Sequence, residues 1–449
     1  MSHSEQPLQG TENSFSETAK AEQHSAQASA SSTPLAGASR RAVVAGTVGL
    51  GVGVAATLGT QTAFQSAQKS QPKDEAQPPL IGQRVPFFGS RQAGIETPAP
   101  TYASFIAVDF NNGIDKDGLE RLLRILTDDA AHLTEGKTPV VDQEPELAQV
   151  AASLTVTLGF GERIFEIAGV KKPSWLQPLP AFEKIDQLQQ QWNDGDLLLQ
   201  FCADDRLTLA HAQRMLLKDV RSFGRVRWVQ EGFRRAYGSE KPGQTMRNLF
   251  GQVDGTVNPT TEAGTMNEYV WGEADSLTPW EDSGTSVIIR RIHMNLDTWD
   301  QADRPAREDA VGRKLSNGAP LTGTNEHDVA DLSTTDELGF NVIAPYAHIR
   351  RASAQKPEEH ILRRGYNYDM PVNDASGFSE HGQTHGGVSN SGLIFASYQA
   401  DPVKQFVPIQ RRLAELDMLN TWTVPIGSAV FAIPGGCQPG GFIGEKLFA

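Results

Sequence analysis

Apolar residues along positions 101–449 follow two rhythms, and they almost vanish from the stretch before Arg40. The run ASFIAVDF (103–110) predicts a buried strand. In the following GLERLLRILTDDAAHL, Leu119, Leu122, Leu123 and Leu126 fall at i, i+3, i+4 and i+7, the spacing of one helix face. LTVTLGF (154–160) predicts a second strand, Leu197–Ala203 a third, residues 208–220 a helix, and RVRWVQ a fourth strand. That order, β-α-β-β-α-β, is the ferredoxin-like one. The second half repeats it. SVIIRRIHMNLDTW (286–299) predicts a first strand, residues 300–313 a helix, residues 341–350 a second strand and Leu393–Gln399 a third. A last helix places Ile409, Leu413 and Leu416 on one face, and IGSAVFAIP closes the unit.

The two halves also share a segment. DLLLQFCADDRLTLAHAQRMLL begins at Asp196 and GLIFASYQADPVKQFVPIQRRL at Gly392; each is an apolar strand, an Ala-Asp pair and an amphipathic helix carrying Gln-Arg. The expected fold is α+β: two tandem ferredoxin-like domains with antiparallel sheets, over 101–248 and 249–449. Residues 256–285 and 369–391 read as long loops, where function tends to sit.

Composition changes the picture mainly at the N-terminus. Residues 1–39, rich in Ser, Ala, Gln and Glu with one Phe and two Leu, cannot bury a core and are expected to be disordered. Arg40 and Arg41 then precede a stretch without charge from Ala42 to Gln68. Its apolar part is short and diluted by glycine, weak for a membrane span. It suits a twin-arginine export signal, which is removed after transport. A flexible linker after a chance Arg pair and an uncleaved anchor are the alternatives. Residues 69–100, with six prolines, read as a linker to the folded part. The whole chain carries a net charge of −14, which disfavours nucleic acid and anionic lipid as partners. The two cysteines, Cys202 and Cys437, form no CxxC pair, so a thiolate metal cluster and a disulfide framework are excluded.

Four short stretches carry chemistry. GQVDG (251–255) sets Asp254 in a glycine-flanked turn, where the backbone can approach another molecule closely; an ordinary Asp-Gly turn is the alternative. AHIRRAS (347–353) puts His348 beside Arg350 and Arg351, as a ligand or as a satisfied structural histidine. ILRRGYNY (361–368) flanks the pair Arg363–Arg364 with apolar residues, and buried arginines need an anion or a cluster of acceptors. LIFASYQAD (393–401) is the third strand of the second half. His381 and His385, amid glycines, offer at most a weak surface metal site, and His327 reads as an exposed loop residue.

Taken in order, and with GRKLSNGAPLTG at 312–323, these motifs resemble the dye-decolorising (DyP-type) peroxidases over about residues 101–449; the twin-arginine leader is similar to that of the family's exported bacterial branch. The resemblance implies one b-type haem per chain, lodged in the C-terminal domain, with His348 as proximal iron ligand. It implies Asp254 as the distal carboxylate and Arg363 as the distal arginine, with Arg364 distinguished only by spacing. Leu393 and Phe395, alternating on one strand face, would wall the distal pocket. Gly255, Thr256 and Val257, together with Ser353, Ala354 and Gln355, would lie against the haem, although relatives usually carry Asn-Pro where this chain has RRASAQ.

The implied partners are hydrogen peroxide, a small organic reductant and the twin-arginine translocation machinery, with a homo-oligomer compatible and nucleic acid excluded. A carboxylate in reach of both peroxide oxygens can take a proton from one and return it to the other. Arg363 would offer N–H donors to the charge that develops as O–O breaks. A carboxylate base predicts activity best at acid pH, falling towards neutrality. Bulky reductants do not fit a pocket closed by Leu393 and Phe395, so Tyr366, Tyr368 and Tyr398 are either relay residues or, more simply, buried packing. An exported protein that binds haem and releases its iron is the alternative function, and a cofactor-free binding module a third.

Overall fold

Apolar β-branched and aromatic runs become eleven strands in the computed structural model, which describes residues 83–241, 243–271, 282–372, 377–379, 382–384 and 387–449. The leader with Arg40 and Arg41, and His381 and His385, lie outside the described residues. In the first half, β1 is Tyr102–Phe110, β2 Thr155–Phe160, β3 Leu197–Ala203 and β4 Gly224–Phe233. Helices α1 (Lys116–Thr134), α2 (Glu162–Ala168) and α3 (Arg206–Val220) connect them. Asp115 and Asp205 start α1 and α3 by accepting hydrogen bonds from the backbone N–H of Gly118 and Thr208.

The second half opens with α4 (Thr265–Tyr269), then β5 (Thr285–Met294), α5 (Leu296–Trp299), α6 (Arg304–Val311) and α7 (His348–Ala352). Two short strands, β6 (Leu362–Arg363) and β7 (Tyr366–Asp369), and a small ribbon, β8 (Gly377–Ser379) with β9 (Gly382–Thr384), come next. β10 (Ser391–Gln399), α8 (Phe406–Leu416) and β11 (Thr423–Ile433) complete it.

All strand pairings are antiparallel, and each half has the ferredoxin-like spatial order. The first half runs β4-β1-β3-β2; the second runs β11-β5-β10 and then β7 and β6, both paired to the same edge of β10. Single residue pairs join the halves, Ala432 to Phe160 and Phe233 to Asn367. Because β5 also pairs with β10, eight strands, all but β6 and the β8–β9 ribbon, close into a ring. Its interior is filled by inward-facing side chains such as Phe105, Trp228, Tyr366, Tyr398 and Phe431. Helices α1 and α3 cover the outer face of the first half through Leu119, Leu122, Leu126, Met215 and Leu216.

Two expectations change. No strand forms within 341–350: Pro345 interrupts the run, and Ile343, Ala344 and Ala347 pack into a small cluster with Leu321, Leu332 and Tyr346 instead. The second strand of that half is β7, whose Tyr366 and Tyr368 point into the barrel. Residues 83–100 are not a free linker either. Phe87, Gln92 and Ile95 are buried, and the Gln92 amide bonds the backbone of Leu158 and Pro434, so this segment seals one side of the barrel. No helix among the described residues is long and apolar enough to cross a membrane.

Candidate active site

The outer face of the second half differs from that of the first. Along β10 every residue is buried except Phe395, and along β5 every residue except Ile292. The two lie close together, since Leu393 pairs with Ile292 across the strands. Phe395, Ile292, Ile349, Leu419 and Trp422 remain only partly buried around a cluster of Leu393, Phe250, Met294 and Trp299. Half-buried apolar side chains in the middle of a closed sheet form a surface suited to a flat apolar partner.

Above that surface sits the GQVDG turn. Gly251 and Gly255 have φ of +79° and +117°, values a side chain would strain. Gly318 comes so close that a Cβ there would lie 2.9 Å from Val253. Arg247 ties the turn to the GRKLSNG loop by donating to the carbonyls of Gly251 (2.8 Å) and Leu315 (2.7 Å). Asn258 fixes its far end: the amide donates to the Arg363 carbonyl at 2.7 Å and accepts from the Arg363 N–H at 3.0 Å. This places the Arg363 guanidinium 3.1 Å from Asp254 Oδ1, while Asn248 donates to Oδ2 at 3.4 Å. Thr256 donates to Glu326 at 3.0 Å, and Val257 is exposed.

The neighbouring arginine goes elsewhere. Arg364 is buried and donates to the carbonyls of Thr97, Ile95 and Pro98, where it fastens the 95–98 segment onto the barrel. Geometry thus separates two arginines that only spacing distinguished in the sequence. Arg313, in the 312–323 motif, donates to the carbonyls of Gly318 (2.6 Å) and Glu326 (2.9 Å). Burial, and next the charge of Arg363, lower its pKa.

His348 begins α7, with its side chain 28% exposed. Its Nδ1–H donates to Asp417 Oδ2 at 2.7 Å, and Asp417 Oδ1 accepts from the Leu419 N–H. Burial opposes a charged imidazole here, but the Asp417 carboxylate outweighs it by charge and hydrogen bond, so the pKa is raised. Arg363 and Asp254 both act on the ring electrostatically, in opposite directions. The bond to Asp417 leaves Nε2 as the free lone pair, the arrangement of a metal-ligating histidine held by a carboxylate. Ser353 closes α7 by donating to the Ile349 carbonyl at 2.6 Å, whereas Ala354 and Gln355 are solvent-exposed. Asp417 was not foreseen; nothing in LDML marks it, and 69 residues separate it from His348.

An imidazole with its second nitrogen anchored, a half-buried apolar wall and a carboxylate–guanidinium pair fit a haem. The matching family models are Dyp-type peroxidase, N-terminal, over residues 92–234, and Dyp-type peroxidase, C-terminal, over 245–438. The chain belongs to the Dyp-type peroxidase family. It is 35% identical to a dye-decolorizing peroxidase of Thermobifida fusca over 92% of this chain and 97% of that one. It is 34% identical to a deferrochelatase of Escherichia coli K12 over 85% and 91% of the two chains. The structure of a DyP-type peroxidase from Cellulomonas bogoriensis superposes with a TM-score of 0.77 at 48% identity, covering 82% of this chain and 98% of that one. Like other Dyp-type peroxidases, this chain is an oxidoreductase that uses haem. Tyr366, Tyr368 and Tyr398 are all buried in its barrel, and burial raises their phenol pKa values, that of Tyr368 to about 12. Cys202 and Cys437 are buried free thiols.

Proposed function

We propose that this Dyp-type peroxidase reduces hydrogen peroxide with Asp254 as its acid–base group and Arg363 as its electrostatic partner, and oxidises dyes, phenols or other small organic reductants. Bound haem would supply the redox-active iron that links peroxide reduction to oxidation of the reductant. His348 would hold that iron through Nε2, with Asp417 fixing the tautomer and strengthening the ligand. Leu393, Phe395 and Ile292 would press on the macrocycle, and the backbone of Gly255–Val257 would border it. Asp254 takes the proton from one peroxide oxygen and delivers it to the departing one, so that water rather than hydroxide leaves. Arg363 donates hydrogen bonds to the charge growing on that oxygen, and Asn258 and Asn248 keep the pair in place.

The observation that carries this reading is the 3.1 Å contact between Arg363 and Asp254 in the same site as an imidazole already committed to Asp417. Asp254→Asn tests it. Haem content should be unchanged, while the stopped-flow rate of the Soret change on mixing with peroxide should fall ~10²-fold or more. A rate equal to the wild type would leave the step to Arg363 alone.

A second reading has support in the deferrochelatase relatives: release of iron from haem. Incubation with haem separates the two. Protoporphyrin appearing without peroxide would favour iron release; intact haem with an oxidised reductant favours the peroxidase. Export by the twin-arginine route to an extracellular, cell-surface or periplasmic location is part of the proposal, on the strength of Arg40–Arg41 and the uncharged stretch behind them.

A further inference from the structure

The loop between the 312–323 motif and α7 carries a feature that the peroxidase site does not use. Thr335 and Asn341 pair as a small hairpin whose tip, Asp336–Phe340, is closed by the Asp336 N–H to the Phe340 carbonyl at 2.8 Å. The Asp336 side chain accepts from both the Leu338 and Phe340 N–H groups at 2.9 Å, and Gly339 takes φ +85°. Arg350 grips both legs, at the carbonyls of Leu332 (2.5 Å) and Ile343 (2.9 Å). The result is a fixed turn that holds Leu338 81% and Phe340 69% exposed. Two large apolar side chains held outward by this many hydrogen bonds are a preorganised contact, not a frayed loop. Asp336 and Glu337 directly precede Leu338, and they are two of five acidic residues between Thr324 and Val342, an interval with no Lys or Arg.

The counterpart is on the same molecule. A groove of about 560 Å³ runs between α3 and the start of β4, with Leu217 and Val226 on its floor and Arg214, Lys218, Arg221 and Arg225 on its rim. Arg214 pairs with Glu144 and Arg225 lies 3.8 Å from Asp109; Lys218 and Arg221 have no carboxylate at ion-pair distance among the described residues. On a chain with a net charge of −14, a basic rim around an apolar floor is the exception. Most approaches between two copies are repelled, and this pairing of surfaces is attractive.

We propose that the 334–342 hairpin of one copy docks into the α3–β4 groove of a second copy. Leu338 and Phe340 cover the floor, and the acidic residues face the basic rim. The two surfaces are different patches, so the contact is heterologous and propagates head to tail into a ring or a chain rather than stopping at a two-fold dimer.

Sedimentation velocity on the full-length holoprotein tests this. The wild type should assemble with concentration and dissociate as salt is raised. Phe340→Asp and the double variant Arg221→Glu/Arg225→Glu should each weaken assembly at least ~10-fold, the loss of one central contact. Each of these variants retains one intact surface, so their mixture should form one-to-one dimers that grow no further; this outcome also shows that both are folded. A wild type that stays monomeric, variants that assemble normally, or a mixture that remains monomeric would overturn the proposal.

Discussion

Arg363 and Arg364 are adjacent and chemically identical, yet the fold gives them opposite tasks. Arg363 ends β6 facing the GQVDG turn, while Arg364 points into the barrel and satisfies three carbonyls of the 95–98 segment. Arg364→Met should therefore cost stability, about 1–3 kcal/mol for buried acceptors left without a donor. Denaturant unfolding would register that loss, while the peroxide reaction of the folded fraction keeps its rate. A rate that falls with Arg364→Met would mean that both arginines serve the site. Asp417 makes a similar test from the other side. Asp417→Asn keeps the shape but removes the charge behind His348, and haem loss to a scavenging apoprotein should accelerate ~10–100-fold, the usual scale for a ligand's hydrogen-bonding partner. Unchanged haem retention would reduce Asp417 to a cap on the turn after α8.

At the scale of elements, two carboxyl groups meet across the helix pair α1–α3. Asp129 and Asp219 face each other across it, with Asp128 and His132 on α1, Lys218 on α3, and Asp142 bonded to His211 nearby. Burial, and next the charge of Asp129, raise the pKa of Asp219 to about 7. A carboxyl whose folded pKa is raised adds stability at acid pH, and that contribution is lost as pH climbs from the ordinary carboxylate range through about 7. Unfolding free energies should thus be higher at pH 5 than at pH 8, and Asp219→Asn should flatten that slope. An unaltered slope would place the titration elsewhere.

Elements were legible in the sequence where burial is two-sided. Leu197–Ala203 is apolar on both faces and forms β3 with the expected limits. The alternation of YNYD was hidden because tyrosines and an asparagine look polar, although Tyr366 and Tyr368 fill the barrel. The reverse error fell on NVIAPYAH, apolar enough for a strand but broken by Pro345. Within the site, Asp254, Arg363 and His348 could be proposed from motifs because each has neighbours of distinctive type. Asn258 and Asp417 could not, since their importance arises only from contacts 105 and 69 residues away.

The whole molecule is two copies of one α+β plan closed into a single ring by one residue pair at each junction. The plan leaves the second half's outer face open where helices cover the first, and the proposed active site lies on that face. A folded, haem-loaded protein of this kind suits an export route that carries finished molecules. Replacing Arg40 and Arg41 by Lys should leave the uncleaved precursor, with active haem, inside the cell; undiminished export of that variant would point to another route.

The central claim is that haem sits between His348 on one side and the Asp254–Arg363 pair on the other. A crystal structure of the haem-loaded protein is its most direct test. The account predicts iron bonded to His348 Nε2, with the carboxylate and the guanidinium over the opposite face. Iron held by any other side chain, or Asp254 and Arg363 on the same face as His348, would contradict it.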